Sequence, residues 1–139
     1  MKLKFAKAIL ITFNSLVFSF YGVMKLLGYQ LSLELSSQKY EGVFVNDLKP
    51  VNLMWRFYAV SPLYAKAIGL AQLLSAVLIL LPKTRKIGLI LFLFQITQII
   101  FINFCFDITI ITKIISVVLL INTLFLIYIY RNTYKVLLN

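Results

Sequence analysis

Two groups of polar residues stand out in a chain that is otherwise apolar. Lys25, Asn103, Asp107 and Lys113 form an amine, amide and carboxylate set able to make a charge pair. Ser15, Gln72, Gln95, Gln98 and Ser116 offer hydroxyls and amides, which donate and accept hydrogen bonds without titrating. Neither group matches a catalytic motif. The chain has no histidine and one cysteine, Cys105. That excludes an intrachain disulfide, a C-x-x-C redox pair and a His-ligated haem or metal site. Electron transfer would need a partner or a diffusible carrier.

The surroundings of these residues point to lipid. Of 139 residues, 62% are hydrophobic and 13% charged, with a mean hydropathy of +0.97. A soluble domain is closer to half apolar and a quarter charged, and a fold of this length could not bury so much apolar surface. The net charge of +10 does not indicate nucleic acid, because the cations do not collect on one face. Lys2, Lys4 and Lys7, then Lys83, Arg85 and Lys86, then Arg131 and Lys135 punctuate the ends of apolar runs. That is membrane-flanking charge.

The apolar runs cover 8–27, 63–81 and 87–130. Pro82 ends the second, since proline cannot continue a helical ladder. The last run is about twice the thickness of a bilayer core as a straight helix. It must fold back near 103–109, giving spans over 87–106 and 110–130, with Asp107 expected to cap the start of the fourth helix. The fold class is an all-α, four-transmembrane-helix bundle in one integral membrane domain, 1–139. Short-loop cations place both termini in the cytoplasm, and Glu34, Glu41, Asp47 and Asp107 then fall on the opposite side. Tyrosines near both ends of the spans agree with that orientation. A cleaved signal peptide ending near Val17-Phe18-Ser19 is the competing reading. The apolar run continues through Val23, Met24, Leu26 and Leu27, which suits an uncleaved span. In the outer segment, 28–62, Leu31, Leu33 and Leu35 alternate with polar residues, and Val43-Phe44-Val45 follows after Gly42. A small hairpin is expected there, then an interfacial helix after Pro50 with Trp55 as its anchor.

At 100° per residue the small and polar residues align. Ser15, Ser19 and Gly22 share a face with Lys25 at its margin, and Ala65, Gly69, Gln72 and Ala76 form a stripe. Gly88, Gln95 and Gln98 group on the third helix, and Thr109, Thr112, Ser116 and Thr123 on the fourth. Helix packing through small residues and interhelical hydrogen bonds accounts for such stripes. A polar pocket is the alternative, because polar groups in a bilayer are costly. The five hydroxyl and amide residues lie near mid-span, and Lys25, Asn103, Asp107 and Lys113 lie nearer the outer face. If Lys25 faces inward, Asp107 is its acidic neighbour and the pair closes the outer end of the bundle. If it faces outward, it reaches headgroups along its own stem.

These residues carry a resemblance. Gly22-x-x-Lys25, Leu53-x-Trp55-x-Phe57, Ser61-x-x-Tyr64, Gly69-x-x-Gln72, Thr84-Arg85-x-Ile87-Gly88 and Asn103-x-x-x-Asp107, in this order, resemble the DoxX-like family of small four-helix bacterial membrane proteins. The resemblance covers about Phe18 to Arg131. It implies a four-helix bundle in the bacterial cytoplasmic membrane. Some relatives are associated with quinone-linked sulfur oxidation or with complexes that handle oxidative stress. Relatives often have an acidic residue where this chain has Gln72, which cannot act as a titrating acid or base. The expected role is a non-autonomous, redox- or quinone-associated subunit. It would hold no cofactor by itself beyond a quinone and would partner a membrane oxidoreductase or a second copy. The rival is a scaffold docking through 28–62. A small transporter is less supported, since no broken helix or internal repeat is present.

Overall fold

The structure, a computed structural model, describes residues 2–28 and 49–134. Among them are five helices: α1 (Lys2–Leu26), α2 (Pro50–Val60), α3 (Pro62–Leu80), α4 (Arg85–Cys105) and α5 (Ile110–Tyr134). All but α2 are long and apolar enough to cross a bilayer, and each coincides with one expected span. The hairpin expected over 31–45 lies outside the described residues.

The helix ends follow from local chemistry. Gly28 takes a left-handed φ of 76° and its N–H bonds the Lys25 carbonyl at 3.2 Å, closing α1. Pro62 occupies the first turn of α3, where its missing N–H costs nothing, and Ser61 Oγ accepts the Tyr64 N–H at 3.4 Å. Asp107 corrects an expectation. It does not cap α5; it ends α4. Its φ is 48°, and the Ile108 N–H reaches back to the Asn103 carbonyl at 3.1 Å. That is the bond pattern of a left-handed helix terminus, with aspartate where glycine is usual.

The polarity of the bundle is inverted relative to a soluble protein. Phe5, Leu16, Phe94 and Ile110 are exposed, whereas Asn14, Ser15, Gln72, Ser75, Asn103, Ser116 and Thr123 are buried. Water would penalise that exterior. Lipid favours it, and interior polar groups then serve as links between helices. Four apolar helices with this distribution make a multi-pass membrane protein.

The most extensive contact runs between α1 and α3; α3 packs on α4, α4 on α5, and α1 meets α5 only lightly. Gly22 and Gly69 let α1 and α3 approach, since a Cβ on either would lie under 3.0 Å from the other's carbonyl oxygen. In the body of the bundle Phe18 stacks on Phe92 with centroids 3.7 Å apart, among Ile11, Ala76, Ile79, Leu89, Ile96, Leu119 and Leu126. At one end, Lys7 and Arg85 both stand over the Tyr130 ring, at 5.5 and 5.8 Å. The start of α1, the α3–α4 turn and the end of α5 therefore meet there. At the other end α2 lies across the bundle, with Met54 and Tyr58 buried on Ala65 and packed against Ile68, Ile102, Phe106 and Ile108.

Candidate functional site

Beneath α2 the bundle encloses a cavity of about 440 Å³. All five helices contribute to its wall: Phe18, Tyr21 and Lys25 from α1, Met54, Trp55 and Tyr58 from α2, and Ile68, Ala71 and Gln72 from α3. Leu91, Phe94, Gln95, Gln98, Ile102 and Asn103 come from α4, and Thr112, Ile115, Ser116 and Leu119 from α5. The cavity is continuous with the outside of the bundle beside α4, because Phe94 and Gln98 line it while being exposed. Its position has a packing cause. The α1–α5 pair is linked on the Tyr130 side of the cavity, where Asn14 Nδ2 donates to Thr123 Oγ1 at 3.2 Å. On the α2 side, the side chains of Tyr21 and Thr112 instead border open space.

Four of the five expected mid-span residues share this wall: Gln72, Gln95, Gln98 and Ser116. Ser15 is buried but works between helices, its hydroxyl donating to the Ala76 carbonyl at 3.1 Å. Gln95 Nε2 donates to the Ala71 carbonyl at 3.1 Å, which leaves its own carbonyl oxygen a buried acceptor without a partner among the described residues. Gln72 is 1% exposed, and its Oε1 likewise has no partner among the described residues. A buried amide oxygen left without a donor costs about 1–3 kcal/mol, so its position on a cavity wall points to a guest with a hydroxyl or N–H.

The outer set separates into two pairs. Lys25 and Asn103 line the cavity. Asn103 Nδ2 donates to Ser116 Oγ at 3.2 Å and to the Thr112 carbonyl at 3.3 Å, tying the two helices of the last hairpin together. Asp107 and Lys113 pair with each other at 2.5 Å. The Lys25–Asp107 closure is therefore corrected: Asp107 lies six residues before Lys113 and reaches it across the start of α5, and its carboxylate is spent there. The Lys113 hydrogen bond, and then its charge, hold the Asp107 carboxyl below the ordinary carboxylate range. Lys25 instead stands 5.6 Å from the centroid of the Tyr21 ring, facing inward.

Among the wall's described residues are one amine, two phenols and several amides, with no carboxylate, thiol or imidazole. Among the described residues no group of His, Cys, Asp or Glu could hold a metal ion. Burial, and then the neighbouring Tyr64, push the Tyr58 phenol above its ordinary value, so it stays a neutral donor at physiological pH.

No family model matches the sequence. No solved structure matches it either. The uncharacterized protein YwoB of Bacillus subtilis (strain 168) is 40% identical over 60 residues, 43% of this chain and 39% of YwoB. The chain thus spans about two fifths of that relative's length, and the match assigns no activity.

Sequence reasoning missed Asn14 and the aromatic part of the wall. Asn14 lies with Ile11, Ser15 and Phe18 on one helical face, at spacings of three and four, and is fully buried. A polar residue in an apolar run at that spacing was the available signal. Tyr21 and Trp55 read as interface anchors because tyrosine and tryptophan favour headgroups. Both also line the cavity.

Proposed function

We propose that the chain is a DoxX-like, non-autonomous subunit of a redox complex in the bacterial cytoplasmic membrane, holding a quinone-type molecule beneath α2. The observation that carries this reading is Gln72 Oε1, a fully buried acceptor without a partner among the described residues, on the wall of a mostly apolar cavity. A reduced ring head would donate a hydroxyl to it, and an oxidised one would accept from the Tyr58 hydroxyl. Aromatic walls at Phe18, Tyr21 and Trp55 suit a flat ring, and the opening beside α4 gives an apolar tail a way into lipid. Bound there, a quinone supplies reversible two-electron, two-proton chemistry. The chain's own residues orient the ring and exclude water. Gln72 fixes the head group and moves no proton.

Charge supports an arrangement with both termini in the cytoplasm. Lys7, Lys83, Arg85, Lys86 and Arg131 belong to the end of the bundle where α1 begins and α5 ends, and α2 covers the extracytoplasmic end. A reporter fused after Asn139 reads cytoplasmic on this account, and a periplasmic signal refutes it.

The functional reading is tested by purifying the protein from native membranes and identifying what comes with it. The expected result is a stoichiometric quinone in the solvent extract and an oxidoreductase in the protein fraction. A preparation with neither contradicts the proposal.

A further inference from the structure

The cavity wall carries a positive charge and, among the described residues, no negative one. Lys25 supplies it, and its nearest described acid at this end of the bundle, Asp107, is committed to Lys113. The Lys25 stem is itself held in place: a Cβ on Gly69 would lie 3.0 Å from Lys25 Cβ, so the close α1–α3 crossing fixes the root of the side chain beside the wall. An ammonium turned toward an apolar cavity in a membrane protein is costly unless an anion or strong acceptor meets it. The ring of Tyr21 at 5.6 Å compensates in part.

We infer that the guest is acidic: a ring amphiphile bearing an ionised hydroxyl, whose oxyanion pairs with Lys25. The ring lies between Phe18 and the α2 aromatics Trp55 and Tyr58, and its apolar tail leaves past Phe94. This rests on reading the cavity as a quinone-type site and adds the charge of the head group and the residue that selects it. Lys25 is then the specificity-determining residue, while Gln72 and the aromatic walls serve neutral and acidic rings alike.

Occupancy can be read directly, because Trp55 is the chain's single tryptophan and stands in the wall. An undecyl hydroxynaphthoquinone, ionised at neutral pH, and the same compound lacking the hydroxyl are titrated against the full chain in lipid nanodiscs. Quenching of Trp55 emission reports binding. The hydroxyl compound should bind at least about tenfold more tightly, as expected of a charge-assisted hydrogen bond in a dry site. Lys25→Met should remove that advantage while leaving binding of the neutral compound, which also shows that the variant folds, and Lys25→Arg should keep most of it. Equal affinities in the unaltered chain, or an advantage that survives Lys25→Met, overturn the inference and leave the quinone-type site standing. Absence of quenching by either compound overturns both.

Discussion

Gly22 and Gly69 face each other across the α1–α3 crossing, each placed so that a Cβ would meet the other's carbonyl oxygen at 2.9 and 2.8 Å respectively. Neither position is needed for a positive φ; each is needed for space. The contacted atoms are backbone, which cannot swing aside, so the helices would have to part. Gly69→Ala and Gly22→Ala should each lower stability in detergent by about 1–3 kcal/mol, the usual cost of overpacking. Thermal denaturation followed by circular dichroism measures it. Because Lys25 Cβ lies at the same crossing, Gly69→Ala should also weaken ligand binding more than Ala71→Gly, a change on the wall that forces no helices apart. Unchanged melting in both glycine variants would show that the crossing is looser than described.

Asp107 combines a left-handed backbone with an ion pair. Asp107→Gly should keep much of the stability, because it relieves the φ of 48° while giving up only an exposed pair. Asp107→Val loses the pair and adds strain, so it should be the less stable of the two. A double-mutant cycle should show coupling of Asp107 with Lys113 and additivity with Lys25. The pH dependence has a definite sign. The carboxyl is depressed, so its contribution is present above the unfolded value and is lost as pH falls through the folded one. Acidification to about pH 5 should leave the pair intact, and its contribution should disappear only below the ordinary carboxylate range, near 3.8. Loss of coupling already at pH 6 would contradict the assignment.

Arg85 ties three elements at the opposite end. Nε and Nη2 donate to the Ile79 and Leu80 carbonyls at 2.9 and 3.0 Å, and Nη1 donates to the Tyr130 hydroxyl at 3.2 Å. It satisfies carbonyls that the end of α3 leaves without helical partners. A lysine has no planar fork to cover three acceptors. Arg85→Lys should therefore lose stability nearly as fully as Arg85→Ala, by about 1–3 kcal/mol, and Tyr130→Phe should lose only the share of one bond. A fully stable Arg85→Lys variant would mean that charge, not geometry, matters there.

The spans were legible because lipid forces them to be. Expected spans over 8–27, 63–81, 87–106 and 110–130 correspond to Lys2–Leu26, Pro62–Leu80, Arg85–Cys105 and Ile110–Tyr134. The main excess is at the two outermost ends. Helical hydrogen bonding continues through Lys2 to Lys7 and beyond Tyr130, whereas hydropathy stops at the first cations. One stripe also read correctly, since Ala65, Gly69, Gln72 and Ala76 are all buried, whereas Gln98 and Thr109 of two other stripes are exposed. What periodicity could not supply was partner choice. It puts Lys25 at the margin of its face, but whether Asp107 turns toward Lys25 or Lys113 depends on the backbone of the α4–α5 turn. The aromatic part of the wall went unread for a related reason. The preference of Trp55 for an interface describes an isolated side chain, and α2 folds across the bundle end, where the same ring closes a cavity.

The central claim is that the space beneath α2, and no other surface of this apolar bundle, receives a ring-headed lipid-soluble molecule. Photolabelling with an azidoquinone in nanodiscs, followed by peptide mapping, tests it most directly. Label should concentrate on the wall, at Tyr21, Trp55 and Tyr58, be displaced by excess unlabelled quinone, and fall in Gln72→Leu. Label spread over outward-facing residues such as Phe5, Leu16 and Leu63, undiminished by competitor, would contradict the account.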